Sequence, residues 1–334
     1  MAHISIVSPI YKAEECIVEL CRRLKLAIEP LTEDFEIILV EDRSPDNSWD
    51  VIQNEAEKDS RVKGIRLSRN FGQHRAITAG LDVANGDWTI IMDCDLQDLP
   101  EDIPLLYFKA LEGYEIVIAQ FEVRTESRMS QAVSKTFWKC LSWLAGMSFD
   151  YRTGNFRIIS KSVLKNFRLY KEQLRYIGGI NHLMGFTSTS LIVQRGKRYA
   201  GNTSYTFQTR LAAAFEFIIA YSDKPLKFSV LAGLSISLFS IFFGILIFIL
   251  SLNNIYTVPG WASIMVSLYF IGGLIIANLG VLGHYIGKIF DETKRRPLYL
   301  IESKTFEAPV SLEVKQAEEA LTKARQEIER LKNI

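Results

Sequence analysis

The fold of this chain is decided by the stretch from residue 87 to residue 100, Asp87-Trp88-Thr89-Ile90-Ile91-Met92-Asp93-Cys94-Asp95-Leu96-Gln97-Asp98-Leu99-Pro100. Its short apolar run, from Trp88 to Met92, is typical of a strand buried on both faces of a parallel sheet. The run ends in three carboxylates and an amide within residues 93–98, which we call the acidic turn. Because open α/β sheets bind ligands at the carboxyl ends of their strands, the acidic turn is the first candidate site.

Two readings of the acidic turn follow from its chemistry. Asp93 and Asp95 offer two hard oxygen donors at one place, and neighbouring carboxylates repel each other unless a cation lies between them. Mg²⁺ or Mn²⁺, held by one or two carboxylates together with phosphate oxygens, meets that demand and predicts a metal-diphosphate site. In the structural alternative, Asp98 or Glu101 caps a helix that begins near Pro100.

Composition narrows the class of protein. The 39 Lys and Arg residues nearly balance the 38 Asp and Glu residues, so the net charge of +1 provides no basic field for nucleic acid. The four cysteines form no Cys-x-x-Cys pair and no metal-ligand spacing, which indicates reduced thiols in the cytosol. The amino terminus lacks the basic-then-apolar layout of a secretion signal, so we expect it to stay in the cytosol. A length of 334 residues favours two domains.

The first half of the chain alternates between strand and helix patterns. Strands are predicted at residues 3–10, 35–40, 62–67, 88–92 and 115–119, followed later by 156–159 and 189–193. Helical patterns lie between them at residues 14–28, 48–58, 73–84 and 101–111. Repeated βα units of this kind predict an α/β domain with a mostly parallel sheet. Gly72, Ala76 and Gly80 stand four apart and favour close packing of one helix on that sheet.

Polar residues also follow the first two strands, at the same predicted edge of the sheet. Glu41 or Asp42 could accept hydrogen bonds from the imide N–H of a pyrimidine base or from guanine. Alternatively, Asp42, Ser44 and Asp46 cap the following helix. Tyr11, after the first strand, could stack on a base or could simply pack against its neighbours.

The second half of the chain predicts a membrane hairpin. Residues 228–252 carry no charge and residues 258–286 carry none except a possible His284, and each segment exceeds the roughly 20 apolar residues needed to span a bilayer. Lys and Arg residues lie before the first segment and after the second, while the loop that joins the two segments is uncharged. By the positive-inside rule both termini are therefore cytoplasmic.

These patterns divide the chain into four predicted regions. We expect a cytosolic α/β domain at 1–205, a juxtamembrane amphipathic helix at 206–222, two transmembrane helices within 226–290 (about 228–252 and 261–286), and a cytosolic tail at 291–334. The tail repeats apolar residues at the heptad spacing from residue 314 to 331. It is either a homo-oligomer contact or a solvated helix.

A basic helical segment follows the fifth strand. Arg124 and Arg128 suit a diphosphate, because a guanidinium fork pairs with two phosphate oxygens, although either could lie on a solvated helix face. A second basic cluster, which contains Arg195 and Arg198, lies just before the membrane segments.

Six motifs in order carry a family resemblance. They are Ile6-Val7-Ser8-Pro9-Ile10-Tyr11, Val40-Glu41-Asp42-Arg43-Ser44-Pro45-Asp46, Asn70-x-Gly72-x-x-x-Ala76-x-x-x-Gly80, Asp93-Cys94-Asp95-Leu96-Gln97-Asp98-x-Pro100, Gly154-Asn155-Phe156-Arg157 and Arg198-x-x-Gly201. The set resembles family 2 glycosyltransferases with the GT-A fold, a Rossmann-like, mostly parallel domain. The subgroup resembled uses polyprenyl-phosphate acceptors, as dolichyl-phosphate mannose synthase and the bactoprenol glucosyltransferases do, and shares the membrane hairpin.

The resemblance implies roles for individual residues. Metal-binding positions match Asp93, Asp95 and Gln97. Nucleotide-contacting positions match Pro9, Tyr11, Glu14, Glu41, Asp42 and Asp93. Positions near donor or acceptor phosphates match Arg124, Arg128, Ser134 and Arg198. Catalytic positions match Asp95, Asp150, Arg128 and Arg198, with Asp150 either near the reaction centre or orienting Arg157 or Arg198. Departures from the family pattern are Lys12 for the usual Asn, Ala13 for Glu, Glu41 and Arg43 for Asp and Gly, and Ser204 for Lys.

The function that the resemblance implies is transfer of a hexose from a nucleotide-sugar, with a UDP-sugar favoured, to undecaprenyl or another polyprenyl phosphate. The reaction is expected to depend on Mg²⁺ or Mn²⁺, to invert the configuration at C1 and to occur on the cytoplasmic leaflet of the inner membrane. One alternative is a processive polysaccharide synthase, but such an enzyme needs more spans and a Gln-x-x-Arg-Trp motif, which residues 173–176 do not match. A non-enzymatic membrane scaffold would leave the clustered carboxylates without a purpose.

Overall fold

Eight strands and eight α-helices make up the described part of the chain. The computed structural model describes residues 3–121, 139, 142–146, 152–173, 175–196, 199, 218–219, 222–252 and 260–307. The strands are β1 (Ile4–Ile10), β2 (Phe35–Glu41), β3 (Val62–Leu67), β4 (Trp88–Ile91), β5 (Ile116–Phe121), β6 (Thr153–Ser160), β7 (Ser188–Val193) and β8 (Ile301–Lys304). The helices are α1 (Glu14–Ile28), α2 (Ser48–Lys58), α3 (Gln73–Val83), α4 (Ile103–Leu111), α5 (Lys161–Phe167), α6 (Ile177–Met184), α7 (Lys224–Leu252) and α8 (Trp261–Thr293). All seven predicted strands and the four predicted helices are confirmed.

One sheet holds all eight strands, in the order β7-β5-β6-β4-β1-β2-β3-β8. Its centre is parallel, because β1 pairs with both β2 and β4 and β2 pairs with β3. Strand β6 runs antiparallel between β4 and β5, and β7 is parallel to β5. The prediction of a mostly parallel α/β sheet is confirmed, while the insertion of β6 next to β4 is new. This insertion brings the start of β6 beside the acidic turn.

Burial on both faces explains the uninterrupted apolar runs. All seven residues of β1 and all seven of β2 are buried. One core lies between the sheet and helices α1, α2 and α4, and the other lies between the sheet and α3, α5 and α6. Burying each large apolar side chain contributes about 1.5–3 kcal/mol. Gly80 lets α3 approach closely, since a Cβ at this position would lie 2.4 Å from Val7 Cγ1.

The predicted helix at residues 101–111 begins differently from the expectation. A 3₁₀ turn covers Pro100–Asp102, and α4 starts afterwards with a proline in its first turn. Proline is tolerated there because the first N–H groups of a helix have no intrahelical acceptor.

Two long apolar helices, α7 and α8, follow the sheet. Candidate membrane spans lie at Lys224–Phe243 and Phe270–Thr293, and their spanning windows are not buried in the protein. Large side chains point outward, including Ile276 at 71% exposure. By length and composition, both helices are long and apolar enough to cross a bilayer. The Ser229 hydroxyl and Asn278 Oδ1 hydrogen bond between the helices.

After α8 the chain returns to the sheet, which the sequence does not predict. Gln173 N donates to Glu292 Oε1 at 2.8 Å, and the Tyr299 hydroxyl donates to Asp82 Oδ2 at 2.7 Å. Strand β8 then pairs antiparallel with β3 at the edge of the sheet. The predicted amphipathic helix, apart from residues 218, 219 and 222, and the heptad pattern of the tail lie outside the described residues.

Candidate active site

The acidic turn closes upon itself directly after β4. Asp93 N donates to Asp98 Oδ2 at 2.9 Å, and Gln97 N donates to Asp95 Oδ1 at 3.1 Å. Leu96, at the centre of the turn, has a φ of 58° and a buried side chain. No side chain caps the 3₁₀ turn or α4, which both lie wholly in the described part of the chain. The capping alternative is therefore wrong for Asp98, which instead stabilises the turn.

Two amide side chains, one before Asp93 in the sequence and one after it, donate hydrogen bonds to the Asp93 carboxylate. Gln73 Nε2, in the first turn of α3, donates to Asp93 Oδ1 at 2.7 Å. Asn155 Nδ2, near the start of β6, donates to the same oxygen at 3.2 Å. Burial raises the pKa of Asp93, and the neighbouring Asp95 raises it further. A cation bound by both carboxylates would remove this repulsion.

The Arg157 side chain stabilises the start of β6, which carries Asn155. Its guanidinium is 3% exposed and donates to Asn155 O at 3.0 Å and to Gly154 O at 2.7 Å. These bonds satisfy carbonyl groups of the strand end that carries Asn155. Arg157 is thus a positioning group for the amide that contacts Asp93.

The segment after β7 lies against the acidic turn. Arg195 Nη2 donates to Gln97 Oε1 at 2.8 Å, and Gly196 N donates to Gln97 O at 2.9 Å. Tyr199 N donates to Asp95 O at 3.1 Å. Arg195 therefore brings a positive charge to the acidic turn, a role that the sequence did not single out. Its only signal was membership of the second basic cluster.

Glu41 and Asp42 both lie at the end of β2, and both are buried. Asp42, at 3% exposure, accepts from Phe71 N at 2.7 Å and from Gly72 N at 2.8 Å. It therefore ties the end of β2 to the start of α3. Burial raises the pKa of both carboxyl groups.

Glu41 organises its own loop rather than a helix. One carboxylate oxygen accepts from Ser44 N, and the other lies 3.1 Å from Arg66 Nε. Among the residues proposed as caps, Asp46 accepts from Ser48 N at 3.3 Å, at the beginning of α2. The N-cap residue of α2 is Asn47, whose side chain makes no capping bond, and Asp42 accepts instead from the backbone before α3. Contact of Glu41 or Asp42 with a base remains a prediction.

The loop after β1 joins these two regions. Tyr11 is 46% exposed and directly follows β1, which pairs in parallel with β4, the strand that leads into the acidic turn. Lys12 N donates to Ser44 Oγ at 2.8 Å, and Glu14 Oε2 accepts from Asn47 N at 3.1 Å. Lys12 Nζ lies 5.6 Å from the centroid of the half-exposed Tyr11 ring. Stacking of this ring on a base remains a prediction.

Three strand-end loops therefore meet at one edge of the sheet. Of the predicted site residues, the structure brings together Pro9, Tyr11, Glu14, Glu41, Asp42, Asp93, Asp95 and Gln97, while Arg124, Arg128, Ser134, Asp150 and Arg198 lie outside the described residues.

A separate cavity of about 770 Å³ lies between α3 and the end of α8, lined by Asp82, Lys171, Gln173, Glu292, Arg296 and Tyr299 among others. None of its lining residues belongs to the three loops.

The donor set of the acidic turn fits a hard divalent cation. Within the described residues, no group of three or more His, Cys, Asp or Glu side chains could form a complete metal cage. Mg²⁺ and Mn²⁺ need no such cage when phosphate oxygens and waters supply the remaining ligands. Asp93 and Asp95 are the fitting pair, whereas the Gln97 side-chain oxygen is engaged by Arg195.

Comparisons with known proteins show which family this chain resembles. A family model described as "Glycosyl transferase family 2" matches residues 5–177. An uncharacterized glycosyltransferase of Bacillus subtilis, YkcC, is 36% identical over 302 residues, which are 89% of this chain and 93% of that protein. The bactoprenol glucosyl transferase of Shigella phage SfV is 32% identical over 90% of this chain and 98% of that protein. Among solved structures, glucosyl-3-phosphoglycerate synthase from Mycobacterium tuberculosis, with Mn²⁺ and UDP bound, superposes with a TM-score of 0.45 at 17% identity, covering 66% of this chain and 78% of that one.

Proposed function

Because the chain belongs to glycosyl transferase family 2 and is a glycosyltransferase, we propose that it transfers a hexose from a UDP-sugar to undecaprenyl phosphate or a related polyprenyl phosphate. The observation that carries this proposal is the meeting of the acidic turn with the loops after β1 and β2, in a chain that also has two helices long enough to cross a bilayer. A nucleotide-sugar has a base and a diphosphate, and the loops offer Tyr11, Glu41 and Asp42 for the base and the acidic turn for a cation that binds the diphosphate.

The acceptor is inferred from relatives and from architecture. The relative from Shigella phage SfV is named for bactoprenol glucosylation, and its similarity extends over 90% of this chain. A polyprenyl phosphate keeps its tail in the bilayer and its phosphate at the surface. An enzyme held at the membrane can therefore use this acceptor without extracting it from the lipid.

Membrane placement follows from the two apolar helices. Lys224 and Lys227 lie at the start of the first span, and Lys294, Arg295 and Arg296 follow the second. By the positive-inside rule, we place the catalytic domain and both termini on the cytoplasmic side of the inner membrane. We also propose that the chain forms a homo-oligomer through the hairpin or the tail.

The residues of the acidic turn would hold Mg²⁺ or Mn²⁺. Asp93 and Asp95 supply the ligands, and a bound ion would neutralise the charge that grows on the diphosphate leaving group. Gln73 and Asn155 keep the Asp93 carboxylate in one orientation through bonds of 2.7 and 3.2 Å. Arg195 adds a positive charge at the same edge, through its bond to Gln97. Preorganised charges of this kind act where charge develops in the transition state.

The remaining proposed roles concern binding of the phosphates and the protonation state of the acceptor phosphate. Arg124, Arg128, Ser134 and Arg198 are proposed phosphate contacts. The acceptor phosphate, with a second pKa near 6, is largely dianionic at pH 7, so it can attack C1 without a general base. Asp150 is then proposed to lie near the reaction centre or to orient an arginine. We also propose inversion at C1, by direct displacement.

The test is transfer from UDP-glucose to undecaprenyl phosphate with Mn²⁺, using the full chain in detergent or vesicles. Asp95→Asn removes one charged ligand and is expected to abolish metal-dependent transfer while circular dichroism shows a retained fold. Asp50→Asn, on the exposed surface of α2, is the matched control and should leave transfer unchanged. Retained turnover in Asp95→Asn would refute the assignment of the acidic turn.

A second measurement identifies the nucleotide and separates an enzyme from a scaffold. Calorimetric titration with UDP, GDP and dTDP in the presence of Mn²⁺ is expected to show binding of UDP in preference to the others. The Asp95→Asn variant should lose the Mn²⁺-dependent part of that binding. Absence of binding by all three nucleotides would contradict the proposed donor class.

A further inference from the structure

The strand that follows the membrane hairpin is fixed in the sheet of the catalytic domain. Strand β8 pairs with β3, and Ser68 N donates to Leu300 O at 2.9 Å just before it. Just after it, Thr305 N donates to Gly64 O at 3.0 Å, and Thr305 Oγ1 accepts from Gly64 N at 2.8 Å. These bonds at both ends set the register of β8 against β3.

That register places Glu302 beside two arginines. Its carboxylate pairs with Arg43 Nη1, in the loop after β2, and its Oε2 lies 3.8 Å from Arg66 Nε on β3. The side chains of Glu302 and Arg43 are both about half exposed. The pair therefore lies at the rim of the loop rather than within the core.

The two arginines connect Glu302 to the predicted nucleotide contacts. Arg66 Nε lies 3.1 Å from Glu41 Oε2, and the other Glu41 oxygen accepts from Ser44 N. Ser44 Oγ in turn accepts from Lys12 N at 2.8 Å, next to the exposed Tyr11 ring. A continuous series of ion pairs and hydrogen bonds thus runs from β8 to the loop after β1.

We propose that Glu302 is a positioning residue for the nucleotide part of the donor: it holds Arg43 and Arg66, which fix the loops after β2 and β1 in the shape that receives the base. This inference rests on the proposed function, since it concerns how the same site binds its nucleotide. It assigns to the segment beyond the membrane a part in donor recognition, in addition to completing the sheet.

The backbone of the loop explains why it needs such a partner. Arg43 has a φ of 52°, in the left-handed region that is unfavourable for a residue with a long side chain. A loop under this strain persists only when its surroundings hold it in place. Glu302 supplies that restraint through its ion pair with Arg43. Its loss should therefore weaken ground-state binding of the nucleotide and leave the chemical step unchanged.

The experiment compares Glu302→Gln with Glu307→Gln, in the full chain at saturating undecaprenyl phosphate and Mn²⁺. Glu307 is exposed, follows β8 and makes no ion pair among the described residues, so it is the matched control. For Glu302→Gln we expect the KM for UDP-glucose to rise about threefold, as for loss of a half-exposed ion pair, with kcat unchanged. Glu302→Asp keeps the charge and should recover part of the lost affinity.

The outcomes separate this inference from the proposed function. If the unaltered chain transfers no sugar from UDP-, GDP- or dTDP-linked donors, the proposed function fails. If it is active and the KM of Glu302→Gln equals that of Glu307→Gln, only the role of Glu302 is overturned. A fall in kcat at unchanged KM, or a parallel loss of activity and melting temperature, would also overturn it in favour of a purely structural strand.

Discussion

A buried histidine beside the candidate site should make the stability of the domain depend on pH. His74 lies in the first turn of α3, next to Gln73, and its ring packs edge-on against Tyr176 with centroids 5.2 Å apart. Its Nδ1 is buried and has no hydrogen-bond partner among the described residues. Burial lowers the pKa of His74 from 6.5 to about 4, and the nearby Arg157 guanidinium contributes to the same effect.

The sign follows from which state binds the proton first. The unfolded chain protonates its histidine near the ordinary pKa of 6.5, while the folded chain resists protonation of His74 until the pH approaches about 4. Folding stability therefore falls as the pH drops below 6.5, and this loss is complete only below about 4. For a pKa of about 4 in the folded state, the loss between pH 7 and pH 5 is at most about 2 kcal/mol. That corresponds to about 4–8 °C in melting temperature for a domain of this size.

The assay measures melting temperatures of the detergent-solubilised chain and of His74→Phe between pH 7 and pH 5. Phenylalanine keeps an aromatic ring against Tyr176 but cannot be protonated. The other histidines and all carboxyl groups are shared by the two proteins, so the difference between their melting temperatures isolates His74. We expect the unaltered chain to lose about 4–8 °C relative to His74→Phe over this range. Parallel pH profiles would refute the reasoning.

Three further predictions concern packing, the acidic turn and backbone strain. Gly80→Ala should cost about 1–3 kcal/mol of stability, because its Cβ would lie 2.4 Å from Val7 Cγ1, and adding Val7→Ala should recover part of it; denaturant unfolding measures both. Gln73→Ala removes a 2.7 Å bond to Asp93 and should raise the Mn²⁺ concentration for half-maximal transfer about tenfold, with an unchanged value disproving the contact's role. Lys12→Asn should stabilise the protein by about 0.5 kcal/mol, since Lys12 has a φ of 52°; a lower melting temperature would contradict this.

The parallel part of the fold could be predicted because its strands are buried on both faces. In β1 and β2 every residue is buried, so the sequence shows apolar runs that stop at polar loops. Strand β8 could not be predicted in this way. Its four residues, Ile301-Glu302-Ser303-Lys304, have no apolar run, and the strand forms because the edge of β3 offers unpaired backbone groups. The position of β6 between β4 and β5 is likewise a tertiary choice, which no local pattern encodes.

The site could be predicted where it depends on strand ends and not where it depends on long-range pairing. Asp93 and Asp95 were identifiable because they follow a buried strand directly. Gln73 could not be identified from the sequence, because Asp93 lies 20 residues further along the chain. A glutamine in the first turn of a helix does not by itself indicate a functional site. Arg195 reaches Gln97 across 98 residues for the same reason. Both Gln73 and Arg195 can be identified as site residues only when the order of the strands in the sheet is known.

The departures from the family pattern at two positions now have a physical explanation. Lys12 and Arg43 stand where the family usually has Asn and Gly, and both have a φ of 52°. Asn and Gly are the residues that adopt this conformation most readily, so this chain keeps a backbone shape that its own side chains disfavour. Glu302 compensates for that at Arg43.

A double-mutant cycle tests this compensation. In an Arg43→Gly background the loop should hold its shape unaided, so adding Glu302→Gln should change the KM for UDP-glucose by much less than in the unaltered chain. An effect of Glu302→Gln that persists in full would show that Glu302 acts through Arg66 alone. The loop sequence after β2 and the strand after the membrane hairpin would then be independent, and the strain at Arg43 would need another source of support.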